Sequence, residues 1–267
     1  MPLNISYKYL QHYSLKPPWV QYLGIFFKPM HDKVYKNIYL KKIIVEEVIK
    51  RIPPSVHLFN HNFSPAFDCF VPFCWNGFLV KPFQTYCLSM NETLDHIYSN
   101  FSKSVTNRIA RAEKRGLFVV ENSDISPLVK MMSERKINTS AAGAKFKKLW
   151  NYLSSLDACF NIYITDPAKE TIYCGGAFII EKERVIFKAS ALNYEYKNTG
   201  ASDLLIWHAI QKVKGMNNIK VFDFAGSMIK NIDNYFRTFG ASPVVYYNIS
   251  KNKLPFIYKI GLKIKGK

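Results

Sequence analysis

In the second half of the chain the apolar positions switch repeatedly between a period of two and a period of three to four, and each switch marks an element. Residues 117–121 read as a strand, and 125–138 and 144–154 as helices flanking a turn-like Ser-Ala-Ala-Gly at 140–143. Strands follow at 160–165, 171–180 and 184–192, joined by hairpin turns at Asp166-Pro167 and at 181–183. A helix over 203–214 places Leu204, Leu205, Trp207, Ala209, Ile210 and Val213 at helical spacing and stops at Gly215. Strand 219–224, helix 229–238 and strand 244–249 complete the run.

The first half is cut into short pieces by Pro17, Pro18, Pro53, Pro54, Pro65, Pro72 and Pro82, since proline interrupts helices and ladders alike. Strands are predicted at 56–59 and 78–88, and a helix over 35–52 on Ile38, Ile43, Ile44, Val48 and Ile52. Leu94, Ile97, Tyr98 and Phe101 predict a helix after an Asn/Thr start, and a second runs from Ser104 to Arg115 before Gly116. Strands and helices alternating in this way predict an α/β or α+β layer.

Composition narrows the class. The 267 residues are 48% hydrophobic and 15% aromatic, enough for a real core in one large domain or two. No run approaches the ~20 apolar residues of a membrane span, and the N-terminus does not read as a signal peptide. Five cysteines without a C-x-x-C pair exclude zinc spacing and predict a reduced, cytoplasmic chain with no metal. Thirty-seven Lys plus Arg against nineteen Asp plus Glu give a net charge of +18. That balance predicts attraction to polyanions: nucleic acid, an anionic bilayer or a phosphate-bearing small molecule.

Candidate chemistry gathers between Tyr194 and Asn248. Thr199, Gly200, Ala201 and Ser202 form a small-residue turn running straight into a helix, where free N–H groups and the dipole suit an anion, with Lys197 adding charge. The same residues also read as an ordinary N-cap, Ser202 ahead of Asp203. Arg108, Arg111 and Arg115 repeat opposite Val105, Ile109 and Ala112, as a phosphate-binding stripe or as the wet side of an amphipathic helix. Basic and apolar residues alternate through 251–267, as a bilayer-facing segment or a frayed end.

Three segments carry a family likeness. FSKSVTNRIARAEKRGLFVVE (101–121), NTGASDLLIWHAI (198–210) and FDFAGSMIKNIDNYFRTFGA (222–241) resemble the FemAB-like, or BioF2-like, branch of the GNAT acyltransferase superfamily, with weaker matches at WNGF (75–78) and QTYCL (84–88). The resemblance implies an α/β (α+β) fold of tandem GNAT-like halves, with mixed, mostly antiparallel sheets flanked by helices. Residues 1–115 would form an incomplete half on the acceptor side, and 116–267 the half with the donor site and basic tail. It implies transfer of an acyl group from a thioester, acyl-CoA or an acyl carrier, to an amine. The alternatives are an aminoacyl-tRNA-dependent peptidyl transferase of FemAB type and a non-catalytic GNAT-like scaffold.

Within that likeness Lys197, Asn198, Thr199, Gly200, Ala201 and Ser202 stand where the family writes [Arg/Gln]-x-x-Gly-x-[Gly/Ala], and would hold the donor. Asp223, flanked by Phe222 and Phe224, is the candidate base for the amine; its other reading is a carboxylate bonded to backbone or to Arg237. Ser227 would orient substrate or cap a helix. One of Tyr246 and Tyr247 should face inward on its strand, and Tyr247 is the candidate to protonate the leaving thiolate. Lys230 and Arg237, seven apart on a helix, would hold an anionic acceptor, and Trp75 and Tyr86 would line its pocket. The expected partners are a small-molecule donor and an amine acceptor, with tRNA or the inner membrane face reached through the basic surface.

Overall fold

The computed structural model describes residues 3–28, 33–135, 140–226, 228–256 and 258. Packing separates two compact units, Met1–Gln84 with Val245–Lys267, and Thr85–Val244. The boundary expected at 115/116 differs from this division. Residues 85–115 pack within the second unit because the apolar face of their second helix, Val105, Ile109 and Ala112, is buried in that unit's core.

In chain order the first unit holds β1 (Ile5–Lys8), β2 (Gln11–Leu15), α1 (Val34–Lys50), β3 (Val56–Asn62) and α2 (Val71–Trp75). Strand β4 (Leu79–Ser89) leads into the second unit, where α3 (Leu94–Ser99) and α4 (Lys103–Lys114) follow. Then come β5 (Phe118–Glu121), α5 (Ser126–Glu134), α6 (Ser140–Ser154), β6 (Cys159–Thr165), β7 (Ile172–Glu181) and β8 (Arg184–Leu192). A single 3₁₀ turn at Tyr194–Tyr196 precedes α7 (Ala201–Lys214), β9 (Val221–Asp223) and α8 (Lys230–Arg237). Strand β10 (Ser242–Asn252) returns to the first unit.

Most elements match the apolar periods, and local chemistry sets their ends. Thr93 and Ser102 cap α3 and α4 by accepting the N–H groups of His96 and Val105. Asp166 takes the N–H groups of Glu170 and Thr171 and so closes the β6–β7 hairpin. The stretch 140–143, expected as a turn, is the first turn of α6; Ser and Ala are adequate helix formers, and one Gly costs only about 1 kcal/mol there.

In the first unit β1-β2-β3-β10 lie side by side, with β2 parallel to β3 and β10 antiparallel to it. Their aromatic core packs Phe59, Phe63, Phe67, Phe73 and Phe78 under Val45 and Ile49 of α1. In the second unit the order is β4-β9-β8-β7-β6-β5, antiparallel except for β8 with β9. Helices α4 and α7 bury their apolar faces in its core together with Phe178, Phe222, Phe224 and Phe239. The fold is α/β with mixed, mostly antiparallel sheets and flanking helices, as the sequence leads one to expect.

Candidate active site

The parallel pairing of β8 with β9 runs Arg184↔Val221, Val185↔Phe222 and Ile186↔Asp223, and there it ends. β9 ends at Asp223, while β8 continues to Leu192 against β7. Beside this part of β8 lies a cavity of about 230 Å³, with Phe187, Ser190 and Ala191 on the strand, Ser202 and Leu205 on α7, and Tyr235 on α8.

Cys174 on β7 also lines this cavity and shares a hydrogen bond with Ser202; burial pushes its thiol far above the usual range, so it is held as a neutral group. Tyr235 reaches its hydroxyl to 3.4 Å from Oδ1 of Asp203. Burial, and then the Asp203 charge, raise its phenol well above the ordinary tyrosine value. Tyr235 is therefore a protonated donor at neutral pH.

Asp203 itself is buried on α7, where Arg108 of α4 grips it with two hydrogen bonds, Nε to Oδ2 and Nη2 to Oδ1, both 2.9 Å. This hydrogen bond with Asp203 raises the Arg108 pKa further. The paired, doubly bonded geometry offsets part of the cost of burying the carboxylate. Arg108, expected as one of three equivalent arginines, is thereby distinguished from Arg111, which donates to the Asn198 carbonyl.

The turn before α7 is tightly packed. Gly200 has φ +88°, and a Cβ there would lie 2.0 Å from the Arg108 carbonyl oxygen and 3.3 Å from Ala112 Cβ. Thr199 N–H donates to the Tyr196 carbonyl, Ala201 N–H to Thr199 Oγ1, and Asp203 and Leu204 N–H to the Gly200 carbonyl. Much of the turn's donor capacity is thus spent inside the chain. Lys197 lies over the Tyr194 ring and donates to its hydroxyl at 3.1 Å. Of the six residues in the turn, Ser202 lines the cavity.

The other candidate residues lie elsewhere. Asp223 is fully buried and accepts from Arg184 Nη1 at 2.8 Å, Thr85 Oγ1 at 2.6 Å and Ala225 N–H at 2.8 Å. Its cationic partner is Arg184, the Ala225 bond is the backbone contact of its second reading, and its lone pairs are occupied as they would be in a structural carboxylate. Arg237 is exposed and donates to Asn234, and Lys230 is exposed at the start of α8. Tyr86 is buried in the second unit's core, and its carbonyl takes the Phe224 N–H. Trp75 is exposed on α2 and Tyr247 stacks on Phe70, both in the first unit. Ser227 and most of the basic tail, 257 and 259–267, lie outside the described residues.

Beside the cavity a wider cleft of about 850 Å³ opens, bearing Lys130, Glu134, Lys147 and Glu170. Arg135 and Leu192 line both spaces, and Arg135 Nη1 donates to the Leu192 carbonyl at 3.4 Å.

No protein-family model matches the sequence, and no curated protein does. Solved structures do match in fold. FemX aligns with a TM-score of 0.63 at 10% identity, over 89% of this chain and 80% of FemX. A conserved protein of unknown function from Bacteroides thetaiotaomicron aligns at 0.55 and 8%, over 92% and 81%. The C-terminal domain assigned to a lysylphosphatidylglycerol synthetase of Agrobacterium fabrum aligns at 0.53 and 9%, over 84% and 76%. At these identities the likeness establishes the fold that the chain shares with these proteins.

Proposed function

We propose that the second unit is an acyltransferase that moves an acyl group from a thioester, acyl-CoA or an acyl carrier, to an amine. The observation that carries this reading is the end of the β8–β9 pairing at Ile186↔Asp223, with a cavity bounded by Phe187, Ser190, Ser202 and Tyr235 beside the rest of β8. The thioester lies along Phe187–Leu192 of β8, its carbonyl held by backbone N–H groups, and its charged handle rests at the mouth near Lys197 and Ser202. The amine enters from the wider cleft, where Glu134 and Glu170 stand among Lys130, Arg135 and Lys147.

Attack forms the C–N bond and breaks the C–S bond. Tyr235 gives its proton to the departing thiolate, and the proton shed by the amine returns to the phenolate through solvent. Asp203, fixed by Arg108, sets the orientation of the Tyr235 hydroxyl. The buried, triply bonded Asp223 serves the structure of the β8–β9 junction in this scheme, and no side-chain base is assigned.

The net charge of +18 favours a second reading in which the donor is an aminoacyl-tRNA and the bond broken is an ester. One pair of titrations separates the two. Saturable binding of acetyl-CoA or a longer acyl-CoA, weakened by Ser202→Trp, supports the first. Binding of aminoacyl-tRNA that falls steeply with salt, with no saturable thioester binding, transfers the assignment to the second. Absence of both, with the folded state intact, leaves a non-catalytic scaffold.

A further inference from the structure

Helix α1 carries its apolar face beyond the core that uses it. Val34, Ile38, Val45 and Ile49 share one side of the helix at i, i+4, i+11 and i+15. Val45 and Ile49 are buried, whereas Val34 is 73% and Ile38 51% exposed. Tyr35 and Tyr39 flank them at 65% and 64%, and Trp75 on α2 is 61% exposed. The Lys42 ammonium, 5.4 Å from the Trp75 ring centre, joins the two helices into one patch.

The rim of the patch is basic. Lys33, Lys36, Lys41 and Lys42 lie within the first ten positions of the segment, and no acidic residue stands in the first turn of α1. Lys41 sits over the Phe27 ring, 5.4 Å from its centre, and pairs with Asp68. Exposed apolar side chains ringed by lysine ammonium groups have the composition of a bilayer interface: apolar body inward, ammonium at the headgroups. Exposed Trp and Tyr are the side chains that settle at that level. Among the described residues no helix is long and apolar enough to cross a membrane, so any contact of this kind is peripheral.

We propose that the amino-terminal end of α1, with Trp75, is a docking surface for an anionic lipid bilayer. Val34, Tyr35, Ile38, Tyr39 and Trp75 enter the headgroup boundary, and Lys36 and Lys42 meet the lipid phosphates. One short apolar patch binds weakly by itself, so the contact needs both components and weakens with salt. The surface belongs to the first unit and does not depend on the transfer reaction assigned to the second.

Co-sedimentation of the full chain with vesicles tests this. Vesicles of phosphatidylcholine with one-third phosphatidylglycerol should retain the protein at least about tenfold better than phosphatidylcholine alone, and less so as salt rises. Tyr35→Ser with Ile38→Ser, and separately Trp75→Ser, should remove most of that binding. Lys36→Glu with Lys42→Glu should remove the preference for phosphatidylglycerol. All of these side chains are surface-exposed or at a rim, and circular dichroism of each variant checks that the fold persists. Three results would overturn the proposal: no vesicle binding by the parent chain, binding indifferent to these substitutions but lost on removing residues 259–267, or a dimer dispersed by Tyr35→Ser/Ile38→Ser without any vesicle binding.

Discussion

Arg108 and Asp203, 95 residues apart in sequence, meet in a two-pronged ion pair that ties α4 to the start of α7, and Tyr235 on α8 leans on the same carboxylate. The carboxylate is buried, and the guanidinium is its cationic partner. Replacing Arg108 by Leu strands the charge, and removing one partner of a buried pair typically costs about 3–5 kcal/mol. Arg108 remains about one-third exposed, so solvent screening brings the expected loss to roughly 2–3 kcal/mol. The double change Arg108→Leu with Asp203→Leu should recover much of it. Urea unfolding of the single and double variants measures both, and a double variant no more stable than Arg108→Leu would contradict a pairing role.

Gly200 answers a steric demand before any chemical one. Its left-handed φ of +88° and the 2.0 Å approach of a would-be Cβ to the Arg108 carbonyl allow no side chain without moving α4 from α7. Gly200→Ala should therefore lower stability by about 2 kcal/mol or more, the strained φ and the overpacking acting together. The readout is the shift in urea midpoint without ligand. A normal midpoint combined with lost thioester binding would instead make the turn a binding element first. Loss of activity in a Gly200 variant is thus uninterpretable alone, and Ser202, which faces the cavity, is the sharper probe.

How much of this was legible follows from range. The small-residue turn, the α7 stripe and the strand ending at Asp223 are written in contiguous residues, and the periods of two and three to four locate them. The side-chain partners of Asp223 are not local: Arg184 reaches it because β8 lies parallel to β9, a pairing that no stretch of sequence announces. Arg108 could have been singled out, because of the three arginines it lies nearest the Val105–Ile109–Ala112 face on a helical wheel. Tyr235 carries no such mark beside Phe236, since either could serve the core. The β1–β2 hairpin is hard to read because its strands are four and five residues long, and the alternation of Ile5-Ser6-Tyr7-Lys8 is too short to stand out.

Acid should weaken the first unit through His61. The ring is buried, its Nε2 lies 2.9 Å from Ser14 Oγ, and Nδ1 has no hydrogen-bond partner among the described residues. Burial, helped by the nearby Lys16 charge, lowers its pKa from 6.5 to about 4. Above pH 6.5 the imidazole is neutral folded and unfolded, and contributes nothing to pH dependence. Below it the unfolded chain takes up a proton that the folded chain refuses, so stability falls by up to about 1.4 kcal/mol per pH unit until the folded pKa is reached. The accumulated loss is roughly 3 kcal/mol. Urea unfolding from pH 7 to pH 4 should show this slope, and His61→Gln should flatten it; an unchanged slope in the variant would assign it to other groups.

The Tyr235 hydroxyl makes the catalytic reading testable through its pH profile. Burial and the facing Asp203 carboxylate both oppose the phenolate, so the acid form persists beyond the pH at which an ordinary tyrosine ionises. If it protonates the departing thiolate, Tyr235→Phe should lower kcat by about 10²–10⁴ and leave KM for the thioester nearly unchanged. Asp203→Asn should act through the same hydroxyl: with the anion gone the phenol loses a reason to stay protonated, and the alkaline limb of kcat moves to lower pH. A purely structural Tyr235 would show stability loss in the Phe variant with kcat per folded molecule preserved and the limb unmoved. Thiol release followed by a chromogenic disulfide, normalised to the folded fraction, distinguishes the two.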